Sequence, residues 1–185
     1  GLVLLWDEDL VPFARPDVCT ATVDGHTVTL DTEQAQHAGL IAATAVSRGL
    51  PARAASIALA TAYQESDLRN LDGGDRDSLG LFQQRPSQGW GEPDQILDPG
   101  YATNAFYDVL AKIEGFESMK ITDAAQKVQR SAFPDAYQAH ATDARAMASA
   151  MTGYSPCGTF SCVSEGSTES CSQATVSRRL TCDYG

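Results

Sequence analysis

The chain has 185 residues, which is enough to bury a substantial core, and it carries 24 acidic against 13 basic residues for a net charge of −11. Lysine and arginine do not cluster in the sequence. This argues against nucleic acid as a partner, because nucleic acid is bound by basic patches that displace counterions. No stretch approaches the roughly 20 apolar residues of a membrane-spanning helix, which excludes a transporter or channel.

The chain begins with a short apolar run, Gly1-Leu2-Val3-Leu4-Leu5-Trp6. Six residues are too few to span a membrane. We interpret the run either as the remainder of a membrane anchor or signal sequence upstream of residue 1, or as a strand or plug that packs on the domain. The sequence leaves both interpretations open.

Residues 18–30 alternate in polarity around Asp24-Gly25, a strong β-hairpin signal. A first helix is expected to follow, with Asp31 and Gln34 in a capping box and Gly49 at its end. Within that helix the spacing predicts a buried stripe made of Ala38, Ile41, Ala42 and Ala45.

A second helix is predicted to open with Pro51 at its first position and to run to about Ser66. At helical spacing Glu65 shares a face with three small residues, Ala58, Thr61 and Ala62. Small residues let a neighbouring element approach closely, so the carboxyl of Glu65 is expected to be poorly hydrated and its pKa raised. A carboxyl group that stays protonated in this way can donate a proton to a glycosidic oxygen.

Three short motifs follow one another in this region: Glu65-Ser66, Gly74-Asp75-Arg76 and Gly80-Leu81-Phe82-Gln83. In this order and spacing they resemble the Glu-Ser, Gly-Asp-Arg and Gly-Leu-Met-Gln pattern of goose-type lysozymes and soluble lytic transglycosylases. With the flanking helices the resemblance covers roughly residues 31–151. It implies a lysozyme-like fold in which Glu65 is the general acid that cleaves the β-1,4 bond between N-acetylmuramic acid and N-acetylglucosamine.

The second catalytic group is less defined by the sequence. Inverting glycosidases place a second carboxylate about 6.5–9.5 Å from the acid, and retaining ones about 5–5.5 Å. A lytic transglycosylase of this superfamily needs neither, because the 6-hydroxyl of the sugar attacks and one Glu serves as acid and then base. Asp75 matches the Gly-Asp-Arg acid and is our candidate base or water-positioning residue, with Asp72 and Asp77 as alternatives. All three also suit an ordinary turn.

The chain departs from the superfamily pattern in two places. Gln84-Arg85-Pro86 stands where an acid often follows the Gly-Leu-Met-Gln motif. A late Tyr-Asn pair, whose hydroxyl touches the catalytic Glu in many relatives, is replaced by Ser131-Ala132-Phe133-Pro134. We expect Tyr137 or Gln129 to substitute for it. The departures leave open whether the enzyme is a hydrolase or a transglycosylase.

Residues 67–98 are rich in Gly, Asp, Pro and Gln and are predicted to form loops, with a short irregular sheet around residues 79–83, as one wall of a cleft. Trp90, flanked by glycines, is either a platform for a sugar ring or a core residue. An amphipathic helix is predicted over residues 99–115, with Tyr101 lining the cleft.

Two further helices are predicted over residues 122–131 and 135–151, and Gly153 ends the second. The tail from residue 154 onward is interpreted as an appendage of short strands held by disulfides, since it is too small to hold a core of its own. Cysteine spacing does not fit zinc, so disulfides in an oxidising compartment are favoured, with Cys19 joined to one tail cysteine. The tail cysteines are Cys157, Cys162, Cys171 and Cys182.

Together these features predict a mainly α, α+β lysozyme-like fold. It would comprise an N-terminal segment with the hairpin (1–30), a helical body (31–152) and a Cys-rich tail (153–185). The predicted function is extracytoplasmic cleavage of bacterial peptidoglycan glycan strands, by a secreted or envelope-anchored protein, without metal or cofactor. The expected substrate contacts are Ser66, Gln83, Trp90, Tyr101, Gln129 and Tyr137.

Two other functions remain open at this stage. One is a lysozyme-like module that binds glycan or an envelope partner without cleaving it, which the departures from the motif and the acidic charge favour. The other is a secreted inhibitor or toxin-like module that depends on the cysteine-rich tail alone.

Overall fold

The computed structural model describes residues 18–130 and 135–163. Three features discussed above lie outside the described residues: the apolar N-terminal run, the Ser131-Ala132-Phe133-Pro134 segment, and the tail beyond residue 163 with Cys171 and Cys182. The described part is mainly α-helical with one small antiparallel sheet, as the sequence predicts.

The predicted hairpin is present and is part of a three-stranded sheet. Strands β1 (Val18–Val23) and β2 (His26–Leu30) pair around Asp24 and Gly25, whose φ angles of 48° and 82° are those of a tight hairpin turn. Strand β3 (Gly158–Val163) pairs with the other edge of β1, which gives the order β2-β1-β3.

A disulfide between Cys19 and Cys162 joins β1 to β3 at directly opposed positions. The prediction that Cys19 pairs with a tail cysteine is therefore confirmed. Cys157, just before β3, is also disulfide-bonded. The first residues of the tail thus belong to the same sheet as the hairpin.

Helix α1 (Thr32–Ser47) begins with the predicted capping box. The Asp31 carboxylate accepts a hydrogen bond from the backbone N–H of Gln34 at 2.9 Å, and the Gln34 side chain accepts one from the backbone N–H of Asp31 at 3.1 Å. The predicted stripe of α1 is fully buried.

Helix α2 (Ala52–Ser66) lies at the centre of the molecule, in contact with α1, α5 and α6. Its alanine-rich sequence makes this possible, because small side chains let three helices approach one axis. Pro51 is the N-cap of this helix and not its first residue, a one-position correction to the prediction. The helix ends at Asp67 and Leu68, both in the left-handed conformation.

The helices that follow are short. They are α3 (Pro93–Ile96), α4 (Pro99–Leu110), α5 (Ile121–Gln129), a 3₁₀ turn (Ala136–His140) and α6 (Ala141–Thr152). Those that begin at Pro99 and Ile121 end earlier than the sequence predicts, and the helix predicted over residues 135–151 is a 3₁₀ turn followed by an α-helix. Helix α5 ends at Gln129 because Arg130 adopts φ 52°. The expected sheet around residues 79–83 is a single bridge between Leu79 and Gln84, since a 3₁₀ helix begins at Pro86 and leaves no strand to extend the pairing.

The sheet packs on α6, so the core runs from the sheet through α6 to α2. In residues 18–130 and 135–163, no helix has both the length and the apolar character needed to cross a membrane. The same residues hold no group of three or more His, Cys, Asp or Glu side chains arranged to bind a metal ion.

Candidate active site

Glu65 occupies the last turn of α2 and is partly buried. The residues on its helix face, Ala58, Thr61 and Ala62, are inaccessible to solvent, so the carboxyl is held against the protein interior. Glu65 therefore points toward the interior because it lies on the buried face of the central helix.

Two side chains from other elements donate hydrogen bonds to the carboxyl of Glu65. The hydroxyl of Tyr137, on the 3₁₀ turn, lies 2.7 Å from Oε1, and Nε2 of Gln129, the last residue of α5, lies 3.3 Å from the same oxygen. Nε2 of Gln129 also lies 2.7 Å from the carbonyl oxygen of Phe82. The structure thus brings three of the predicted site residues together, and ties them to the Gly-Leu-Phe-Gln turn.

Burial raises the pKa of Glu65 above its ordinary value, and the hydrogen bonds from Tyr137 and Gln129 act in the opposite direction because they favour the ionised form. The desolvation effect is the larger of the two. Glu65 therefore holds its proton to a higher pH than an exposed glutamate does, as a general acid requires.

The C-terminal ends of α2 and α5 meet at this site. Each ends in a left-handed residue, Asp67 after α2 and Arg130 after α5. The C-terminus of a helix carries a partial negative charge. That charge disfavours an ionised Glu65 and acts in the same direction as burial.

Ser66 and Gln83 hold the turn that faces Glu65. The hydroxyl of Ser66 is almost completely buried and donates to the carbonyl oxygen of Leu81 at 2.7 Å. Nε2 of Gln83 donates to the carbonyl oxygen of Gly80 at 3.1 Å and lies 3.4 Å from that of Gly73. These contacts fix the backbone beside the carboxyl, and the predicted contact of either residue with substrate stays a prediction.

The three loop aspartates lie in different surroundings. The side chain of Asp75 is 94% exposed, with Oδ2 4.0 Å from Nε of Arg76, and Asp72 is also exposed. Asp77 accepts hydrogen bonds from the backbone N–H of Ser87 at 2.8 Å and from Nε of Arg85 at 2.5 Å.

The bonds from Ser87 and Arg85 hold the pKa of Asp77 well below its usual range. In the part of the chain that the structure describes, no hydrogen bond joins any of the three loop carboxyls to Glu65. The site therefore has one sheltered carboxyl beside a loop in which Asp72 and Asp75 are exposed and Asp77 is bonded to Arg85 and Ser87. The predicted role of Asp75 stays a prediction.

Trp90 and Tyr101 form a separate pair. The hydroxyl of Tyr101 donates to the carbonyl oxygen of Trp90 at 3.2 Å, and a side chain at Gly91 would collide with the Tyr101 ring. Both aromatic rings are partly buried, and Trp90 packs on the core. Among the described residues, no hydrogen bond links this pair to Glu65.

Several neighbours of the site were not predicted from the sequence. The carbonyl oxygens of Leu81 and Phe82 accept the bonds that hold Ser66 and Gln129, and backbone acceptors leave no signal in a sequence. The ring of His140 lies 4.7 Å from that of Tyr63, on the helix turn that precedes Glu65. Only the tertiary contact between α2 and the 3₁₀ turn brings these two rings together.

A scan of the chain against protein-family models found no match, and a search of curated proteins found none either.

Proposed function

We propose that this protein cleaves the β-1,4 bonds of peptidoglycan glycan strands, with Glu65 as the acid. The single observation that carries the proposal is the state of Glu65. It is one partly buried carboxyl with a raised pKa, held by Tyr137 and Gln129 at the end of the central helix. The resemblance of the surrounding motifs to goose-type lysozymes and lytic transglycosylases supplies the substrate class.

The hydrogen bonds support Oε2 of Glu65 as the oxygen that carries the proton. In the described part of the chain, both donors meet Oε1. An oxygen that accepts two hydrogen bonds is the carbonyl-like oxygen of a protonated carboxyl. The proton therefore resides on Oε2, which donates it to the glycosidic oxygen as the bond to the anomeric carbon breaks.

Of the two reaction types, the exposure of Asp75 favours a lytic transglycosylase. Its carboxyl is almost fully in solvent and makes no described contact with Glu65, so Asp75 is not held in place as a second carboxylate that activates water. In the transglycosylase reaction, the ionised Glu65 accepts the proton of the muramic acid 6-hydroxyl, and that oxygen bonds to the anomeric carbon. The product is a 1,6-anhydro sugar, no water is consumed, and Glu65 regains its proton.

The disulfide between Cys19 and Cys162 supports an oxidising, extracytoplasmic location, which is where peptidoglycan is accessible. Secretion or attachment to the envelope is part of the same proposal.

The test is digestion of purified sacculi followed by mass spectrometry of the products. Wild type is expected to release fragments with anhydro ends, and Glu65→Gln should lower the rate on the order of 100-fold to 10,000-fold because it removes general acid–base catalysis. Asp75→Asn is the matched control, and it is expected to retain activity.

Other results would change the proposal in defined ways. Reducing ends, together with loss of activity in Asp75→Asn, would indicate a water-using muramidase in which Asp75 is the base. Wild type that binds sacculi but releases no more product than Glu65→Gln would indicate a non-catalytic binding module.

A further inference from the structure

A second site lies at the opposite ends of α2 and α5 from Glu65. There the structure forms a cavity of about 470 Å³ whose lining includes three cationic side chains, those of Arg53, Lys120 and Arg145. Arg53 is the second residue of α2, so the cavity lies about 18 Å along the helix axis from Glu65 at a rise of about 1.5 Å per residue. It is therefore distinct from the candidate active site.

The two arginines lie near each other, and among the described residues neither forms a salt bridge. The Nε atoms of both Arg53 and Arg145 are buried and have no hydrogen-bond partner. The guanidinium of Arg53 donates to the carbonyl oxygen of Met119. Burial lowers the pKa of Arg53, and the positive charge of Arg145 lowers it further. Buried polar atoms without partners and adjacent like charges are both costly, so such an arrangement needs a physical reason.

Three other arginines of the described residues are closely paired. Arg48, Arg69 and Arg85 each form a salt bridge to an aspartate at 2.6 Å or less. Two aspartates, Asp123 and Asp135, also line the cavity, but their side chains are exposed. Across residues 18–130 and 135–163, neither forms an ion pair with Arg53 or Arg145. The chain has a large excess of acid, yet these two cations remain without a carboxylate partner.

The N-terminus of α5 adds to the positive potential. Lys120 is the N-cap of this nine-residue helix and provides no side-chain hydrogen bond to the first turn. The first two residues of the helix, Ile121 and Thr122, line the cavity. The N-terminal end of a helix carries a partial positive charge, which favours an anion.

We propose that this cavity binds an oxyanion, either a phosphate or a carboxylate group, carried by a small organic molecule. The planar guanidinium groups of Arg53 and Arg145 match the paired oxygens of such a group, and Lys120 supplies a further mobile positive charge at the rim. The volume exceeds what one phosphate fills and falls in the range of small-molecule pockets. The anion would neutralise the two guanidinium groups and accept hydrogen bonds from their terminal N–H groups on the cavity side.

The test is calorimetric titration of the full chain with inorganic phosphate and with succinate, at constant ionic strength in chloride buffer. We expect at least one probe to bind with a Kd below about 1 mM. Arg145→Gln should weaken that binding by about tenfold or more. Arg48→Gln is the matched control, because it removes an arginine that is already paired with Asp108, and it should leave the Kd unchanged.

Tighter binding of phosphate would identify a phosphate ligand, and tighter binding of succinate a carboxylate. If Arg145→Gln does not fold, Lys120→Gln serves instead, since Lys120 is exposed, and binding should weaken severalfold. No saturable binding of either probe, or equal binding by wild type and the arginine variant, would overturn the proposal. Repeating the titration with Glu65→Gln separates this result from the glycan-cleavage proposal, because the anion site should be unaffected.

Discussion

The chemistry of Glu65 depends on a balance between burial and hydrogen bonding. Burial favours the neutral carboxyl, and the donors Tyr137 and Gln129 favour the ionised one. Because burial has the larger effect, the residue enters the proposed reaction as an acid. Because the donors are present, the carboxylate formed by proton transfer is also stabilised and can act as a base. The acid half of a one-carboxyl mechanism therefore depends on burial, and the base half depends on this pair of donors.

Replacement of Tyr137 by Phe tests this balance. Loss of the hydroxyl removes a hydrogen bond that favours the ionised form, so the pKa of Glu65 should rise further. Activity that depends on protonated Glu65 falls as pH rises through that pKa, so the alkaline limb of the pH–rate profile should move to higher pH. The measurement is the rate of sacculus digestion as a function of pH.

The matched control for this experiment is Tyr63→Phe. Tyr63 is a neighbouring tyrosine whose hydroxyl makes no hydrogen bond to Glu65 among the described contacts. Its substitution should leave the alkaline limb in place. An unchanged limb in Tyr137→Phe would show that the hydroxyl does not act on the carboxyl of Glu65.

The raised pKa of Glu65 also predicts a pH-dependent contribution to stability. For a group whose pKa is higher in the folded than in the unfolded state, the stability contribution is complete below the unfolded value. It is then lost as pH rises through the folded value. With an ordinary value of 4.5, the loss begins near that pH and continues above it. Glu65→Gln lacks this titration. The free energy of unfolding of the variant, relative to that of wild type, should therefore increase from pH 4 to pH 8.

Urea unfolding of wild type and Glu65→Gln at pH 4 and pH 8 measures this effect. The contributions of the other titrating groups to the free energy of unfolding cancel, because both proteins contain those groups. A difference between variant and wild type that is the same at pH 4 and pH 8 would contradict a raised pKa in the folded state.

At the scale of elements, the turn that carries the Gly-Leu-Phe-Gln motif depends on a glycine. Gly80 has φ +74°, and a Cβ atom there would lie 2.6 Å from the backbone carbonyl oxygen of Ile96. A backbone oxygen cannot move aside as a flexible side chain can. Gly80 therefore allows the turn to lie against α3, which in turn places the carbonyl of Phe82 beside Gln129.

Gly80→Ala should destabilise the protein more than Gly89→Ala. Both glycines have left-handed backbones, which costs an alanine about 1–2 kcal/mol. The clash at Gly80 adds about 1–3 kcal/mol, whereas a Cβ at Gly89 meets nothing within 4 Å. Free energies of unfolding in urea measure the difference. Equal losses in the two variants would mean that the turn does not pack against Ile96 in this way.

At the scale of the whole molecule, the disulfide connects residues 143 positions apart. It joins the strand before the helical body to the strand after it, and so forms a covalent loop that contains helices α1 to α6. In the chain-entropy account, a link over so long a loop strongly restricts the unfolded state. The sheet that it fixes packs on α6, which supports the central helix that carries Glu65.

The double substitution Cys19→Ala with Cys162→Ala should lower the free energy of unfolding by about 2–5 kcal/mol. Substitution is preferable to a reductant because Cys157 is also disulfide-bonded. Thr20→Ala is the matched control on the same strand pair. It removes only the exposed hydrogen bond to Ser161, so it should cost no more than about 1 kcal/mol. Similar losses in the two proteins would show that the cross-link contributes little.

Local signals in the sequence were sufficient for several elements. Asp24-Gly25 predicted the hairpin and the Asp31 and Gln34 pair predicted the start of α1, because turns and caps depend on a few adjacent residues. The face of Glu65 followed from helical periodicity alone. The end of α5 was predicted two residues too late, because nothing adjacent to Arg130 signals its left-handed backbone.

The sequence by itself determined the main features of this protein: a helical body, a hairpin, a tail cysteine bonded to Cys19, and an acidic residue on the buried face of a helix. The helical body, the hairpin and the buried face of Glu65 depend on composition or on short-range periodicity, and the bond from Cys19 was inferred from the distribution of one early and four late cysteines. Only the tertiary structure decided that Tyr137 and Gln129 meet the same oxygen of Glu65, and that Arg53 and Arg145 face one cavity. These residues are far apart in the chain, and their contacts depend on how the helices pack, which no local pattern specifies.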